Sequence, residues 1–140
     1  MKLVQKFESC HMTHDQAKLL LRVTVGLLIL LHGLFKISNP GAIGFIGGLF
    51  ESFHLPAFLA YLVYVGEVAA PLMLLAGYKT RIAANLVAIT MIVAIVLAHL
   101  GDLFARTQNG GSAVELQLMF LVGALAIAGL GAGKYSMDKK

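Results

Sequence analysis

The sequence predicts an all-α integral membrane protein: an antiparallel bundle of four transmembrane helices with a short interfacial helix in the first outer loop. Of its 140 residues, 59% are hydrophobic and only 13% are charged, whereas soluble domains carry about 25% charged residues. The mean hydropathy of +0.84 excludes a cytosolic enzyme. The apolar residues are grouped in four long runs, and in lipid each run must satisfy its own backbone hydrogen bonds as a helix.

The four apolar runs match, or nearly match, the length needed to cross a hydrocarbon layer about 30 Å thick. They comprise residues 19–35, 56–76, 82–100 and 114–130. These spans divide the chain into an N-terminal segment, a four-helix transmembrane domain and a C-terminal tail, which cover residues 1–18, 19–130 and 131–140. The first run lacks a small-residue cleavage site, so we expect it to remain in the mature protein.

The distribution of Lys and Arg predicts the orientation, because the cytoplasmic flanks of membrane helices accumulate positive charge. Of the eleven basic residues, all but Lys36 and Arg106 lie on one side of the predicted spans. We therefore expect both termini and the tight turn 77–80 to be cytoplasmic, with the longer loops 36–55 and 101–113 outside. The basic residues at the cytoplasmic flanks account for the net charge of +4, so we expect no binding of nucleic acid.

The first outer loop has the pattern of a short helix lying on the membrane surface. Asn39 is suited to a helix N-cap and Pro40 to the first helical position. Hydrophobic residues then recur on one face, at Ile43, Ile46 and Phe50. We expect an interfacial helix near residues 41–53 that ends before the second span begins.

Glu67 is the main candidate for a functional residue inside the lipid layer. A charged group at the bilayer centre costs about 2.5 to 3.5 kcal/mol, and Glu67 lies near the middle of the second span. Pro71, four residues later, removes the helical hydrogen bond to the Glu67 carbonyl, and Gly66 permits close backbone approach. Two interpretations stay open: a structural glutamate, or a proton, ion or ligand site. Because Arg22 and Arg81 lie toward the cytoplasmic end, we expect a protonated or hydrogen-bonded Glu67 and no tight ion pair.

Other polar residues extend this candidate site. Helical spacing places Arg81, Asn85 and His99 along one stripe of the third span, which we expect to face the bundle. His32 and Lys36 form an i, i+4 pair at the outer end of the first span. The candidate ligand-binding residues are Glu67, Asn85, Arg81, His99, His32 and Lys36, with the structural break at Gly66 and Pro71.

Several polar residues should meet at the outer interface, where they would form ionic contacts between helix ends or a vestibule leading to Glu67. These residues are His32, Lys36, Glu51, His54, His99, Asp102 and Glu115. The histidines come from separate elements without close ligand spacing, so we predict no metal site. Arg22, one turn inside the cytoplasmic face, is expected to extend to the headgroups. With Cys10 as the single cysteine, the chain cannot form an internal disulfide or dithiol pair.

The sequence resembles the DoxX family of small four-helix bacterial membrane proteins over about residues 19–138. The resemblance rests on three motifs: His32-Gly33-x-x-Lys36, the stretch from Gly77 through Thr80-Arg81 to Ala83-Ala84, and the tail Gly131–Asp138 with the pattern GxGxYSxD. Family tails commonly read GPGxYSLD, from which Ala132 and Met137 depart mildly. The resemblance implies a multi-pass protein of the bacterial inner membrane.

The resemblance also implies a link to membrane redox systems, since the family is named after a subunit associated with thiosulfate oxidation and quinone reduction. The first hypothesis is an accessory subunit that binds a quinone-like headgroup, with Glu67 or His99 managing its proton and Arg81 or Asn85 orienting a carbonyl. The alternatives are a small proton-coupled permease acting as an oligomer, and a non-catalytic assembly or membrane-integrity protein. Whether the chain is an enzyme stays open. The lipid bilayer and either further copies or partner subunits are the expected partners.

Overall fold

The computed structural model describes residues 11–139, and all of the named secondary-structure elements within them are helices. They are α1 (His14–Ser38), α2 (Pro40–Ser52), α3 (Ala57–Ala76), α4 (Thr80–Ala98) and α5 (Glu115–Leu130), with a short 3-10 turn at Leu100–Asp102. Helices α1, α3 and α4 are long and apolar enough to span a membrane, and α5 is a shorter apolar helix. The predicted all-α membrane class is thus confirmed. Residues 1–10 of the predicted N-terminal segment, including Cys10, lie outside the described residues.

Helix α1 begins earlier than the predicted span because its first turn is capped by side chains. The Thr13 hydroxyl accepts a hydrogen bond from the Gln16 N–H, and the Gln16 side chain accepts one from the Thr13 N–H. This reciprocal arrangement is a capping box. The helix also continues past residue 35 to Ser38, which brings Lys36 into its last turn.

The long helices form a ring of neighbours. Helix α1 packs against α3 and α5, and α4 packs against the same two helices, so that α3 and α5 lie diagonally opposite each other. Helix α2 packs on the first turns of α3. The buried apolar core lies at the centre of the ring and consists of Val25, Ile29, Ala70, Leu74, Ala83, Ala84, Val87, Ala88, Met91, Phe120, Ala124 and Ile127.

Helix α3 is irregular where the sequence predicts a break. Its first turns, Ala57–Leu62, are a 3-10 helix, residues Val65–Ala69 form a π-helical turn, and Ala70–Ala76 are α-helical. Because Pro71 has no N–H to donate, the ladder shifts by one residue, and the Ala70 N–H donates to the Val65 carbonyl. We call Val65–Ala69 the π turn; it contains both Gly66 and Glu67.

Two glycines, one in α1 and one in the π turn itself, allow the neighbouring helices to approach the π turn closely. A Cβ atom on Gly33 of α1 would lie 2.3 Å from the carbonyl oxygen of Glu67. A Cβ atom on Gly66 would lie 1.7 Å from Oγ1 of Thr90 on α4. No side chain fits at either position, so the π turn is held between α1 and α4.

Arg22 is buried, and the expectation that it extends to the lipid headgroups is wrong. Arg22 is only 1% exposed. The guanidinium donates to the carbonyls of Leu74 and Leu75 at the end of α3 and, at 2.6 Å, to the carbonyl of Tyr135. The last carbonyls of a helix lack partners within that helix; the Leu74 carbonyl accepts from both Arg22 and the Gly77 N–H, and the Leu75 carbonyl accepts from Arg22.

The tail after α5 crosses the same end of the molecule. The Asp138 carboxylate accepts hydrogen bonds from the backbone N–H groups of Lys79 and Thr80, both at 2.8 Å, and so caps the first turn of α4. The Asp138 N–H in turn donates to the carbonyl of Gly77. We call residues 131–139 together with Arg22 the tail clasp.

Candidate functional site

A cavity of about 440 Å³ lies among all five helices, within the size range of small-molecule sites. Most of its lining is apolar, including Ile29, Leu59 and Phe120. We call it the inter-helix cavity. The polar side chains in its lining are His32, Lys36, Glu67, Thr90, His99 and Gln117.

The cavity contains a partly buried ion pair between Lys36 and Glu67. The Lys36 ammonium donates to Oε2 of Glu67, and the two side chains are 20% and 7% exposed. The Tyr64 hydroxyl also donates to the Lys36 carbonyl, at 3.4 Å. Glu67 therefore has a close cationic partner, and the expectation of a glutamate without an ion pair is wrong.

The error has a physical reason. The sequence argument considered only the arginines near the cytoplasmic end and left Lys36 at the outer headgroups. In the structure α1 crosses α3 so that its early residue Arg22 contacts the end of α3, while Lys36 in its last turn contacts the π turn. The four-carbon stem of a lysine side chain can lie along apolar surface while its ammonium reaches a buried partner.

His99 connects the cavity to the molecular surface. Its Nε2 lies 3.1 Å from Nε2 of Gln117, and its Nδ1 lies 3.7 Å from Oδ2 of Asp102. The Asp102 side chain is 56% exposed. In the tautomer with the proton on Nδ1, that proton faces the Asp102 carboxylate and Nε2 accepts from the Gln117 amide. The arrangement links an exposed carboxylate, an imidazole and the interior of the cavity.

The sequence analysis missed Gln117, although a signal for it exists. It is the one side chain with a hydrogen-bonding group in the otherwise apolar stretch 116–130. A polar side chain within an apolar membrane segment normally faces a partner or a cavity. Reading α5 in this way identifies Gln117 as a residue of the site.

His32 and Thr90 complete the polar lining in different ways. The His32 ring packs edge-on against Phe120, with the ring centroids 5.9 Å apart. The Thr90 hydroxyl donates to the Leu86 carbonyl at 2.9 Å, so its hydrogen is already used within α4. His32 is thus the more available of the two for a ligand.

Arg81 and Asn85 lie outside the cavity, and both are exposed. The guanidinium of Arg81 lies beside the tail, where a Cβ atom on Gly131 would be 3.6 Å from its Nη2. The expected stripe fails because α4 ends at Ala98, and His99 has φ −129°, outside the helical range. His99 therefore turns away from the direction that helical spacing assigns to it. The structure brings together four of the six candidate residues: His32, Lys36, Glu67 and His99.

Within residues 11–139 no group of three or more His, Cys, Asp or Glu side chains is placed to hold a metal ion. The cavity instead offers an ammonium, a carboxylate, two imidazoles, a hydroxyl and an amide on an apolar background. Such a set can bind a mostly apolar ring that carries two polar oxygens, and it can exchange protons with those oxygens.

Comparison with known proteins places these features in a family. The pattern of the DoxX family matches residues 17–100. An uncharacterised membrane protein of Mycobacterium tuberculosis is 33% identical over 133 residues, which cover 86% of this chain and 78% of that protein. An uncharacterised protein of Haemophilus influenzae is 31% identical over 128 residues, covering 86% and 87% of the two chains.

A third relative has a name that refers to an activity. CatD of Bacillus subtilis, which is named provisionally as an oxidoreductase, is 39% identical over 83 residues, 59% of each chain. No solved structure matches the chain significantly.

The motifs that carry the resemblance have defined structural positions. Gly33 contacts the π turn, Lys36 pairs with Glu67, and the tail motif forms the clasp with Arg22. With a family match over residues 17–100 and a relative 33% identical over most of both chains, the chain belongs to the DoxX family.

Proposed function

We propose that this chain is an accessory subunit of a membrane redox system and that it binds a quinone-like headgroup in the inter-helix cavity. The observation that carries the proposal is the lining of that cavity, in which the Lys36–Glu67 pair and the His99–Gln117 pair interrupt an apolar surface. The name of the Bacillus subtilis relative also supports a redox role.

The side chains match the chemistry of a quinone. Lys36 and the Gln117 amide can donate to the two ring carbonyls, while Glu67 and His99 can supply or accept the protons. Reduction of a quinone to a quinol takes up two electrons and two protons. The sequence contains no cofactor-binding motif, so a partner subunit would transfer the electrons and this chain would hold the ring and move protons.

The rim of the cavity also suits a ligand with a long apolar tail. Ile89 and Val93 line the cavity and are 57% and 38% exposed on the outside of α4. In a membrane these side chains would face lipid. An isoprenoid tail can therefore leave the cavity sideways into the bilayer while the ring stays between the helices.

We also propose that α1, α3, α4 and α5 cross the bacterial inner membrane as an antiparallel bundle with both termini in the cytoplasm. The excess of basic residues near residues 77–81 and 134–140 supports this orientation. Alkaline phosphatase fused after residue 140 should be inactive, and the same fusion within loop 101–113 should be active. The reverse pattern would contradict the orientation.

A second candidate is a non-catalytic assembly protein. The observation that favours it is the direct contact between Lys36 and Glu67, which ties α1 to α3 without any ligand. On this reading the ion pair contributes to stability and the cavity has no ligand.

Titration of the purified protein with decylubiquinone distinguishes the two candidates. For the redox candidate we expect a saturable rise in melting temperature for the wild type, and at least a tenfold weaker affinity for Lys36→Met and Glu67→Gln. Asn85→Leu is the control, because Asn85 is polar and lies on α4 outside the cavity. Equal responses of all four proteins, or no response from any of them, would favour the assembly role.

A further inference from the structure

Helix α2 separates two concave surfaces. Ala42, Ile46 and Leu49 face the inter-helix cavity. The opposite face, with Pro40, Gly47 and Glu51, lines an open groove of about 650 Å³. We call it the glycine groove, and its lining residues are Ile37, Pro40, Ile43, Gly44, Gly47, Gly48, Glu51, Ala57, Phe58, Tyr61 and Tyr64.

The glycines keep the floor of this groove open. Gly47 is buried against Ala57, where an added Cβ would be at a distance of 3.4 Å. A Cβ on Gly44 or Gly48 would have no atom within 4 Å. Gly47 thus lies at ordinary contact distance from α3, and Gly44 and Gly48 face free space.

The opposite wall is aromatic. Phe58 and Tyr61 are 68% and 62% exposed. The rings of Tyr61 and Tyr64 lie 6.3 Å apart at an angle of 54°. Aromatic faces carry a negative quadrupole, which attracts cations placed over them.

Glu51 gives the groove a negative charge. Its side chain is exposed and makes no hydrogen bond or ion pair with any residue from 11 to 139. The groove lining contains no Lys, Arg or His. A carboxylate beside aromatic rings, on a surface without a cation, is complementary to an ammonium group.

We propose that the glycine groove binds a membrane lipid with an ethanolamine headgroup. The ammonium lies between Glu51 and the tyrosine rings, and the start of the acyl chains lies along Ile37, Ile43 and Phe58. This site rests on the expectation from the sequence that α2 lies on the outer membrane surface, and it is independent of the redox role. A second copy of the chain fits less well, because a two-fold contact would bring together two carboxylates and no cation.

The test uses the purified chain of residues 1–140 in nanodiscs that contain equal amounts of phosphatidylethanolamine and phosphatidylglycerol. Native mass spectrometry then measures which lipid stays bound to the protein after the protein is released from the nanodisc. The wild type should retain phosphatidylethanolamine at least fivefold over phosphatidylglycerol. Glu51→Gln and Tyr61→Leu should each reduce that ratio toward one. Glu115→Gln is the matched control, since Glu115 is an exposed carboxylate outside the groove and should leave the ratio unchanged.

Three results would overturn the proposal. The first is equal retention of both lipids by the wild type, and the second is an unchanged ratio in Glu51→Gln. The third is a dimer that excludes lipid from the groove and dissociates in Gly44→Leu. Soluble phosphoethanolamine, added to detergent-purified protein, tests whether the headgroup alone is sufficient for binding. If it stabilises the protein as much as the lipid does, the assignment to a lipid is also contradicted. The quinone titration is unaffected by any of these outcomes.

Discussion

At the scale of single residues, the Lys36–Glu67 pair determines the character of the cavity. The ammonium is 20% exposed and the carboxylate 7% exposed, so the two charges differ in how much solvation they retain. Removing either partner leaves the other charge without compensation, and the cost is larger for the more buried survivor. The pair therefore predicts an asymmetric response to mutation.

We expect Lys36→Met to destabilise the protein by about 2 to 4 kcal/mol, because it leaves the Glu67 carboxylate unpaired. Glu67→Gln should cost about 1 to 2 kcal/mol, because the Lys36 ammonium can turn toward solvent and the amide can still accept a hydrogen bond. The double variant should recover part of the loss. The measurement is a double-mutant cycle on unfolding in detergent, with the exposed Lys134→Met as the control. Strictly additive losses would show that the pair is not coupled.

At the scale of the element, the π turn of α3 packs so closely against its neighbouring helices that each contact requires a glycine. Gly33 faces the backbone carbonyl of Glu67, and Gly66 faces the side chain of Thr90. The Glu67 backbone is fixed within a packed helix, and the Thr90 Cβ, which would lie 2.6 Å from a methyl group on Gly66, is fixed to its own backbone, so neither can move aside at low cost. Neither position should therefore tolerate a methyl group.

We expect Gly33→Ala and Gly66→Ala each to destabilise the protein by about 2 to 4 kcal/mol. Gly44→Ala is the matched control, because its added methyl meets no atom within 4 Å. It should be neutral or stabilising by about 0.5 to 1 kcal/mol through its better helix propensity. Melting temperatures of the three variants check this order. A Gly33→Ala protein as stable as Gly44→Ala would refute the proposed close contact.

The elements were largely predictable from the sequence, and the reasons are local. The apolar runs, the Asn39-Pro40 start of α2 and the break at Pro71 depend on residues close together in the chain. The failures depend on contacts between distant residues. The burial of Arg22 requires the end of α3 and the tail, and the Lys36–Glu67 pair depends on how α1 crosses α3. Hydropathy and helical spacing contain no information about either contact.

At the scale of the whole molecule, the tail clasp connects three helix ends. Arg22 belongs to α1, its acceptors include the last carbonyls of α3, and Asp138 caps α4. The Lys134 N–H also donates to Asp15 near the start of α1. A segment outside the apolar core thus holds the relative positions of the helices.

We expect Arg22→Met to destabilise the molecule by about 2 to 4 kcal/mol, since it removes the donors to three buried or half-buried carbonyls. Asp138→Ala should cost about 1 kcal/mol, the usual value of a lost helix cap. Both variants should also make residues 131–139 more susceptible to limited proteolysis. Lys139→Ala, at an exposed position, is the control. Protection of the tail in Arg22→Met equal to that of the wild type would contradict its role in the clasp.

The position of the tail clasp has a consequence for biosynthesis. Residues 131–138 leave the ribosome after all five helices, yet they provide the cap of α4 and one acceptor of Arg22. A nascent chain in which α1 to α5 have been inserted still lacks the hydrogen bonds that this segment makes to the ends of α3 and α4. Closure of the clasp is therefore a late step of folding, which follows the synthesis of α5.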